Sequence, residues 1–297
     1  MHAIKKWVIA TRLETVFLAW ASVGLGSALA AFAGTFQWSI LAGATLVASL
    51  LQLLRNLAND YGDFVQGADL VNKAKSPSAI QTGLVQLAQV RQALCWLCFA
   101  ATVTGLWLLC MAALPLPTRL FFSVLGCLAL GAALAYTLGR WPYGYQGGGD
   151  AAVLLFFGIV GVGGTFYLHT QQATWLWVGP ALAHGCLTVG VLNVNNLRDL
   201  TADQKVGKKT IPVRIGRQAA LGYHWGLLTG SVLAVLAFLW CHAHTPWPCV
   251  CLCTVPWLFQ HGRAVCQQPP SQLTQELQRL VQLILVFATL LAVGVLL

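Results

Sequence analysis

The chain holds only eight acidic residues in 297, yet three of them, Asp60, Asp63 and Asp69, fall inside "NDYGDFVQGAD". Asn59 and Asp63 stand four positions apart, so on a continuing helix they share one face. A second stretch, "NVNNLRDLTADQKVGKKTIPVRIG", repeats the device with Asn195, Asp199 and Asp203, and Asn196 and Arg198 beside them. Two such stretches facing each other offer hard oxygen ligands from two helices. That suits Mg²⁺, which takes one or two carboxylates and completes its shell with water and substrate phosphates. Cations are interleaved with the acids: Arg140 in "YTLGRWPYGYQGGGD", then Arg198, Lys205, Lys208, Lys209 and Arg214. Acids and bases in one mouth imply a polyanion held both through metal and directly by lysine and arginine. For the lysines, the plain alternative is solvated loop charge. Asp150, after three glycines, is either an acid favoured by a helix N-terminus or a carboxylate that helps to bind metal or to position a substrate.

These residues must be carried by apolar elements. The chain is 58% hydrophobic and 8% charged, with a mean hydropathy of +0.71, whereas soluble domains carry about 25% charged residues. It is therefore read as an all-α integral membrane protein. Stretches long enough to cross about 30 Å of hydrocarbon lie near 15–35, 38–58, 91–113, 118–137, 150–168, 175–196, 220–241, 246–265 and 277–297. The expectation is one bundle of about nine transmembrane helices, residues 1–297 forming a single domain, with a central cavity open to the cytoplasm. The first span is too long for a cleaved signal and is followed at once by another.

With the N-terminus inside, sixteen of the seventeen Lys and Arg residues fall in inner segments and only Arg119 falls outside. That is the positive-inside bias, and it places the C-terminus outside. Topology thus explains the net charge of +9, and no nucleic-acid partner is needed. The acids Asp60, Asp63, Asp69, Asp150, Asp199 and Asp203 crowd onto the same inner side, leaving only Glu14 and Glu276 elsewhere. Acids contribute little to orientation, and a carboxylate at the rim of a membrane bundle is a functional-site candidate.

The motifs at 59–69 and 195–203 resemble the two aspartate-rich motifs of the intramembrane aromatic prenyltransferases, the UbiA superfamily. "NLANDYGD", "YTLGRWPYGYQGGGD" before "LLFFG", and "NNLRD" followed by "GKKT" and "VRIG" resemble most the branch that prenylates 1,4-dihydroxy-2-naphthoate in menaquinone synthesis. The resemblance implies a polyprenyl diphosphate donor and a Mg²⁺ cofactor held by Asn59, Asp63, Asp69, Asp199 and Asp203. It implies that Lys208 and Arg140 stabilise the leaving diphosphate, with Asp60, Asn195, Asn196, Arg198 and Asp150 completing the binding set. It further implies a bacterial cytoplasmic membrane setting and a product, demethylmenaquinol, formed with loss of CO₂. Tyr61, Tyr136, Tyr143 and Tyr145 either steady an allylic cation or form an interfacial belt. Two departures stand out. Gly67 occupies a place where the broad pattern has an acid, with Asp69 two residues later. "RLET" stands where relatives show Arg-Pro-x-Thr, so Arg12 is not counted in the site.

Competing readings are transfer to 4-hydroxybenzoate or haem, or transport of an anionic metabolite. A transporter would place its ionisable groups near the midplane, where these spans carry almost none. "CWLC" (Cys95, Cys98) lies in an apolar span, where cysteine acts as a small hydrophobe. "CHAHTPWPCVCLC" lacks the usual zinc spacings and leaves a disulfide open. His169, His184, His224 and His261 are read as packed or interfacial.

Overall fold

A computed structural model describes Trp7 and residues 11–67, 78–242 and 245–297. Among these residues the chain forms nine helical elements. α1 is Val16–Phe32, α2 Trp38–Val65, α3 Leu87–Met111 and α4 Leu116–Ala135. α5 spans Gly149–Thr170, α6 Val178–Lys205 and α7 Ile211–His242. α8 begins as a 3₁₀ stretch, Trp247–Thr254, that runs into Val255–Gln267, and α9 is Leu273–Leu296.

Six of these helices, α2, α3, α4, α5, α7 and α9, are long and apolar enough to cross a membrane. The expected nine helices are present among the described residues, and length and composition qualify six of them as spans. α1 is short at 17 residues, and the α-helical part of α8 has only 13. α6 is long enough at 28 residues, but asparagines and aspartates occupy its last third, so its composition falls short. The chain is a multi-pass membrane protein.

Both motif helices overrun their apolar portions: α2 reaches Val65 and α6 reaches Lys205. Each then stops in the same way. Gly67 and Gly207 sit at φ +76° and +74°, the left-handed conformation that glycine takes without penalty and that ends helices. The position where an acid was expected therefore holds the residue that terminates α2. α7 is broken near its start, where Gly216 has φ 80° and ψ 162°.

Two apolar clusters hold most of the bundle. One joins α1 and α5 to α9 through Leu29, Phe166, Leu187, Phe238 and Ile284; the other joins α2, α3 and α4 through Leu54, Val90 and Ala133. α5 is wound as a π-helix over Leu154–Gly164, an arrangement associated with functional sites. Its glycines permit very close packing. A Cβ at Gly158 would lie 2.7 Å from the Ala181 carbonyl of α6, and one at Gly161 would lie 2.7 Å from Ser22 Cβ of α1. α5 is thus drawn toward α1 and α6, while Phe156 and Val160 line a cavity of about 310 Å³ that α5 shares with α1–α4. α4 buries only Ala133 and leaves Leu120, Phe121 and Leu128 exposed, as a lipid-facing wall does.

The histidines are packed, as the sequence suggested. His184 bonds Ser22 at 2.9 Å, His169 bonds Ser27 at 3.0 Å, and His261 bridges His224 and Glu276 at 3.2 and 3.0 Å. Cys241, Cys249, Cys251 and Cys253 are free thiols. Among the described residues no group of His, Cys, Asp and Glu is arranged to hold a metal by itself; His244 lies outside the described residues.

Candidate active site

The ends of α2 and α6 meet at one face of the bundle and enclose a small polar pocket. Asn59 and Asp63 line it from α2, and Asn195, Asn196, Arg198, Asp199 and Asp203 line it from α6. The loop after α6 adds Lys208 and Thr210. The helical spacing places these groups: Asn59 donates to Asp63 one turn on, at 3.3 Å, and Arg198 reaches back to Asn195 at 2.8 Å.

Each acid has a basic or phenolic partner. Lys208 Nζ donates to Asp63 Oδ1 at 2.8 Å and lies 3.8 Å from Asp203 Oδ1, so one ammonium joins the two motifs. Tyr145 also donates to Asp63 Oδ1 at 2.8 Å, and Lys208 lies 4.4 Å from the centre of its ring. Arg198 grips Asp199 with two parallel bonds of 2.8 and 2.7 Å, the fork geometry that arginine makes with carboxylates. Arg12 pairs with Asp60. Burial opposes the charge on Lys208, but Asp63 and Asp203 outweigh it and lift the lysine's pKa above its ordinary value. The ammonium is therefore charged across the physiological range.

Two loops are strapped together over this mouth. The 3₁₀ turn Tyr143–Gln146 accepts the Lys209 backbone N–H at the Tyr145 carbonyl, 2.8 Å away, and Arg214 at the Gln146 carbonyl. Gly147, at φ +80°, lets the strands approach, since a Cβ there would lie 2.8 Å from the Lys209 carbonyl. The strap is what holds Tyr145 and Lys208 on Asp63.

The donor set fits a hard divalent cation held jointly with a phosphorylated ligand. Carboxylates and carboxamides of two helices converge, too few to build a closed cage, as Mg²⁺ sites require when phosphate oxygens complete them. The Thr210 hydroxyl is buried without a hydrogen-bond partner among the described residues. An anionic oxygen in the pocket would satisfy it.

Eight of the sequence-predicted residues thus share one pocket: Asn59, Asp63, Asn195, Asn196, Arg198, Asp199, Asp203 and Lys208. Others lie apart. Asp60 faces Arg12 instead of the pocket interior. Asp150, at the start of α5, accepts a 2.9 Å bond from Tyr223 of α7 and does not line the pocket. Arg140 is exposed on the loop after α4, away from the lining residues. Asp69 lies outside the described residues. The structure adds Arg12, Thr137 and Thr210 to the pocket wall, which also holds Tyr136 and Tyr145 of the tyrosines singled out in the sequence. The three added residues stand in "RLET", "YTLGRWPYGYQGGGD" and "GKKT".

Tyr136 lines both the polar pocket and the apolar cavity, so a site for a charged head and a site for an apolar tail adjoin at its ring. That combination agrees with the comparisons with known proteins. The model of the UbiA prenyltransferase family matches residues 17–283. The 1,4-dihydroxy-2-naphthoate octaprenyltransferase of Haemophilus influenzae is 37% identical over 296 residues, covering 99% of this chain and 96% of that one. The apo structure of a UbiA homolog from Aeropyrum pernix superposes with a TM-score of 0.72 at 16% identity, covering 94% of this chain and 98% of that one. A UbiA homolog from Archaeoglobus fulgidus, solved bound to GPP and Mg²⁺, superposes with a TM-score of 0.65 at 12% identity, covering 96% and 99%. Sequence motifs, helical architecture and family match agree along nearly the whole length, and the chain belongs to the UbiA prenyltransferase family.

Proposed function

We propose that this protein transfers a polyprenyl group from a polyprenyl diphosphate to 1,4-dihydroxy-2-naphthoate, releasing diphosphate and CO₂ and giving demethylmenaquinol. The observation that carries this reading is the junction at Tyr136, where a pocket of paired acids and bases adjoins an apolar cavity. The relative from H. influenzae bears the name of that activity.

Asp63, Asp199, Asp203 and Asn59, with Asp69, would hold Mg²⁺, which would supply Lewis-acid charge stabilisation at the diphosphate. Lys208, Arg198 and Arg12 stand around the same pocket and take up the negative charge that grows on the leaving group. Asn195 and Asn196 offer further polar groups to its oxygens. The apolar wall excludes water, so the allylic cation is captured by the electron-rich ring and not by hydroxide.

The cavity wall also bears on the acceptor. Among the described residues lining it there is no aspartate, glutamate, histidine or lysine. The wall offers no general base to remove a ring proton. An acceptor attacked at its carboxylate-bearing carbon needs none: the new C–C bond forms there, the C–CO₂ bond breaks, and its electron pair restores the aromatic ring. The dihydroxynaphthoate fits this chemistry better than 4-hydroxybenzoate, which keeps its carboxylate. Acceptor labelled at the carboxyl carbon should release labelled CO₂ in step with prenylated product. Label retained in a prenylated acid, or turnover with hydroxybenzoate alone, would defeat the naphthoate assignment.

The site face is cytoplasmic in this reading, with nine spans in a bacterial cytoplasmic membrane, the N-terminus inside and the C-terminus outside. Support comes from the partition of Lys and Arg. A reporter fused after Leu297 should respond as an extracytoplasmic one; a cytoplasmic signal from a stable full-length fusion would mean an even number of spans.

A further inference from the structure

Every pocket cation described so far has an acid beside it: Arg12 has Asp60, Arg198 has Asp199, and Lys208 has Asp63 and Asp203. Arg55 does not. It lies on α2 one helical turn before Asn59 and lines the apolar cavity instead of the polar pocket. Its guanidinium carbon sits 4.9 Å from the centre of the Tyr136 ring. Among the described residues no carboxylate pairs with it and no hydrogen bond reaches it. Tyr143, the other phenol at this end of the cavity, donates its hydroxyl to the Ala132 carbonyl at 3.0 Å and makes no hydrogen bond to Arg55 among the described residues.

A guanidinium in an apolar wall is costly unless an anion joins it. Stacking on Tyr136 offsets part of that cost and leaves the hydrogen-bonding edge of the guanidinium unmet. The edge is planar and forked, and so matches a carboxylate. The diphosphate has its own cations in the polar pocket. The anion missing from this side is carried by the aromatic substrate.

We propose that Arg55 binds the carboxylate of the acceptor and thereby selects a carboxylated ring. This rests on the acceptor reading given above and deepens it. One turn of helix is about 5.4 Å, so a carboxylate on Arg55 sets the acceptor just inside the Asn59–Asp63 face that holds the donor's head. The carbon bearing the carboxylate is then the ring atom that Arg55 locates. When the C–CO₂ bond breaks, the departing CO₂ is neutral and Arg55 loses its anion. The product is held less tightly than the acceptor, which favours its release into lipid.

The test uses the purified full-length enzyme with one polyprenyl diphosphate and Mg²⁺, with 1,4-dihydroxy-2-naphthoate as the acceptor and 1,4-dihydroxynaphthalene, which lacks the carboxylate, as its competitor. Arg55→Gln should raise KM for the naphthoate about 10- to 100-fold. It should leave KM for the donor and Ki for dihydroxynaphthalene near those of wild type. The preference for the carboxylated ring should collapse by the same factor. Arg55→Lys, the variant to rely on if Arg55→Gln does not fold, should lose an intermediate amount, because it keeps the charge without the fork. An equal weakening of naphthoate and competitor, or a rise confined to the donor KM, would overturn the assignment and leave the transferase intact. A wild-type enzyme inert with the naphthoate would instead remove the acceptor reading, and this assignment with it.

Discussion

Asp63→Ala and Asp199→Ala should each lower turnover at least 10²- to 10³-fold, roughly the loss on removing a principal electrostatic stabiliser of a transition state. The protein should remain folded in detergent. Asp63 is where three lines converge: Asn59 from its own helix, Tyr145 from the strap and Lys208 from the loop after α6. Removing its carboxylate deletes the proposed metal ligand and also releases the ammonium that ties α2 to the loop after α6. Asp199 differs in one respect. Its loss leaves Arg198, whose side chain is only 7% exposed, without its forked partner, and an uncompensated buried charge is itself destabilising. Asp199→Asn keeps the shape and part of the hydrogen bonding, so it separates loss of catalysis from loss of structure. Chelating Mg²⁺ should reproduce the effect in wild type, and adding it back should restore activity. Near-normal turnover in either alanine variant would refute the two-motif site.

Gly62→Ala should cost nearly as much, although it removes no chemical group. A Cβ at residue 62 would lie 2.6 Å from Thr137 Cβ and 2.8 Å from the Thr137 carbonyl. Thr137 cannot withdraw easily, because its hydroxyl donates to the Ala58 carbonyl at 2.9 Å and its own carbonyl accepts from Gln66 at 2.8 Å. The backbone of α2 must therefore move, and Asp63 is the next residue. A displacement of about 1 Å at a reacting constellation is worth about 10²-fold in rate. Turnover should fall by that order while KM for the acceptor changes little. A control at Gly24, where a Cβ meets nothing within 4 Å, should be nearly silent in Gly24→Ala. If Gly62→Ala were equally silent, the rigid seating of α2 on Thr137 would be wrong.

Sequence alone determined the all-α membrane class, the approximate place of the nine helices among the described residues and eight residues of the polar pocket. The reason is that hydropathy and the 3.6-residue helical period are local properties: Asn59 and Asp63, or Asn195 and Asp199, share a face wherever the helix is put. The boundaries it misjudged are local too. α2 and α6 run past their apolar portions because a helix continues until something ends it, and here the glycines at 67 and 207 do so.

The tertiary structure decided what faces what. The pairs Arg12–Asp60, Tyr145–Asp63 and Lys208–Asp63 join residues 48, 82 and 145 positions apart, and no spacing rule reaches across such distances. Motif proximity placed Arg140 and Asp150 in the site, but the turn after α4 leaves Arg140 exposed and the start of α5 hands Asp150 to Tyr223. Arg55 looked like one more inner positive charge. Only the packing of α2 against the turn at Tyr136 sets it in an apolar wall with no acid beside it among the described residues, because burial and partnership belong to the assembled bundle and not to any single helix.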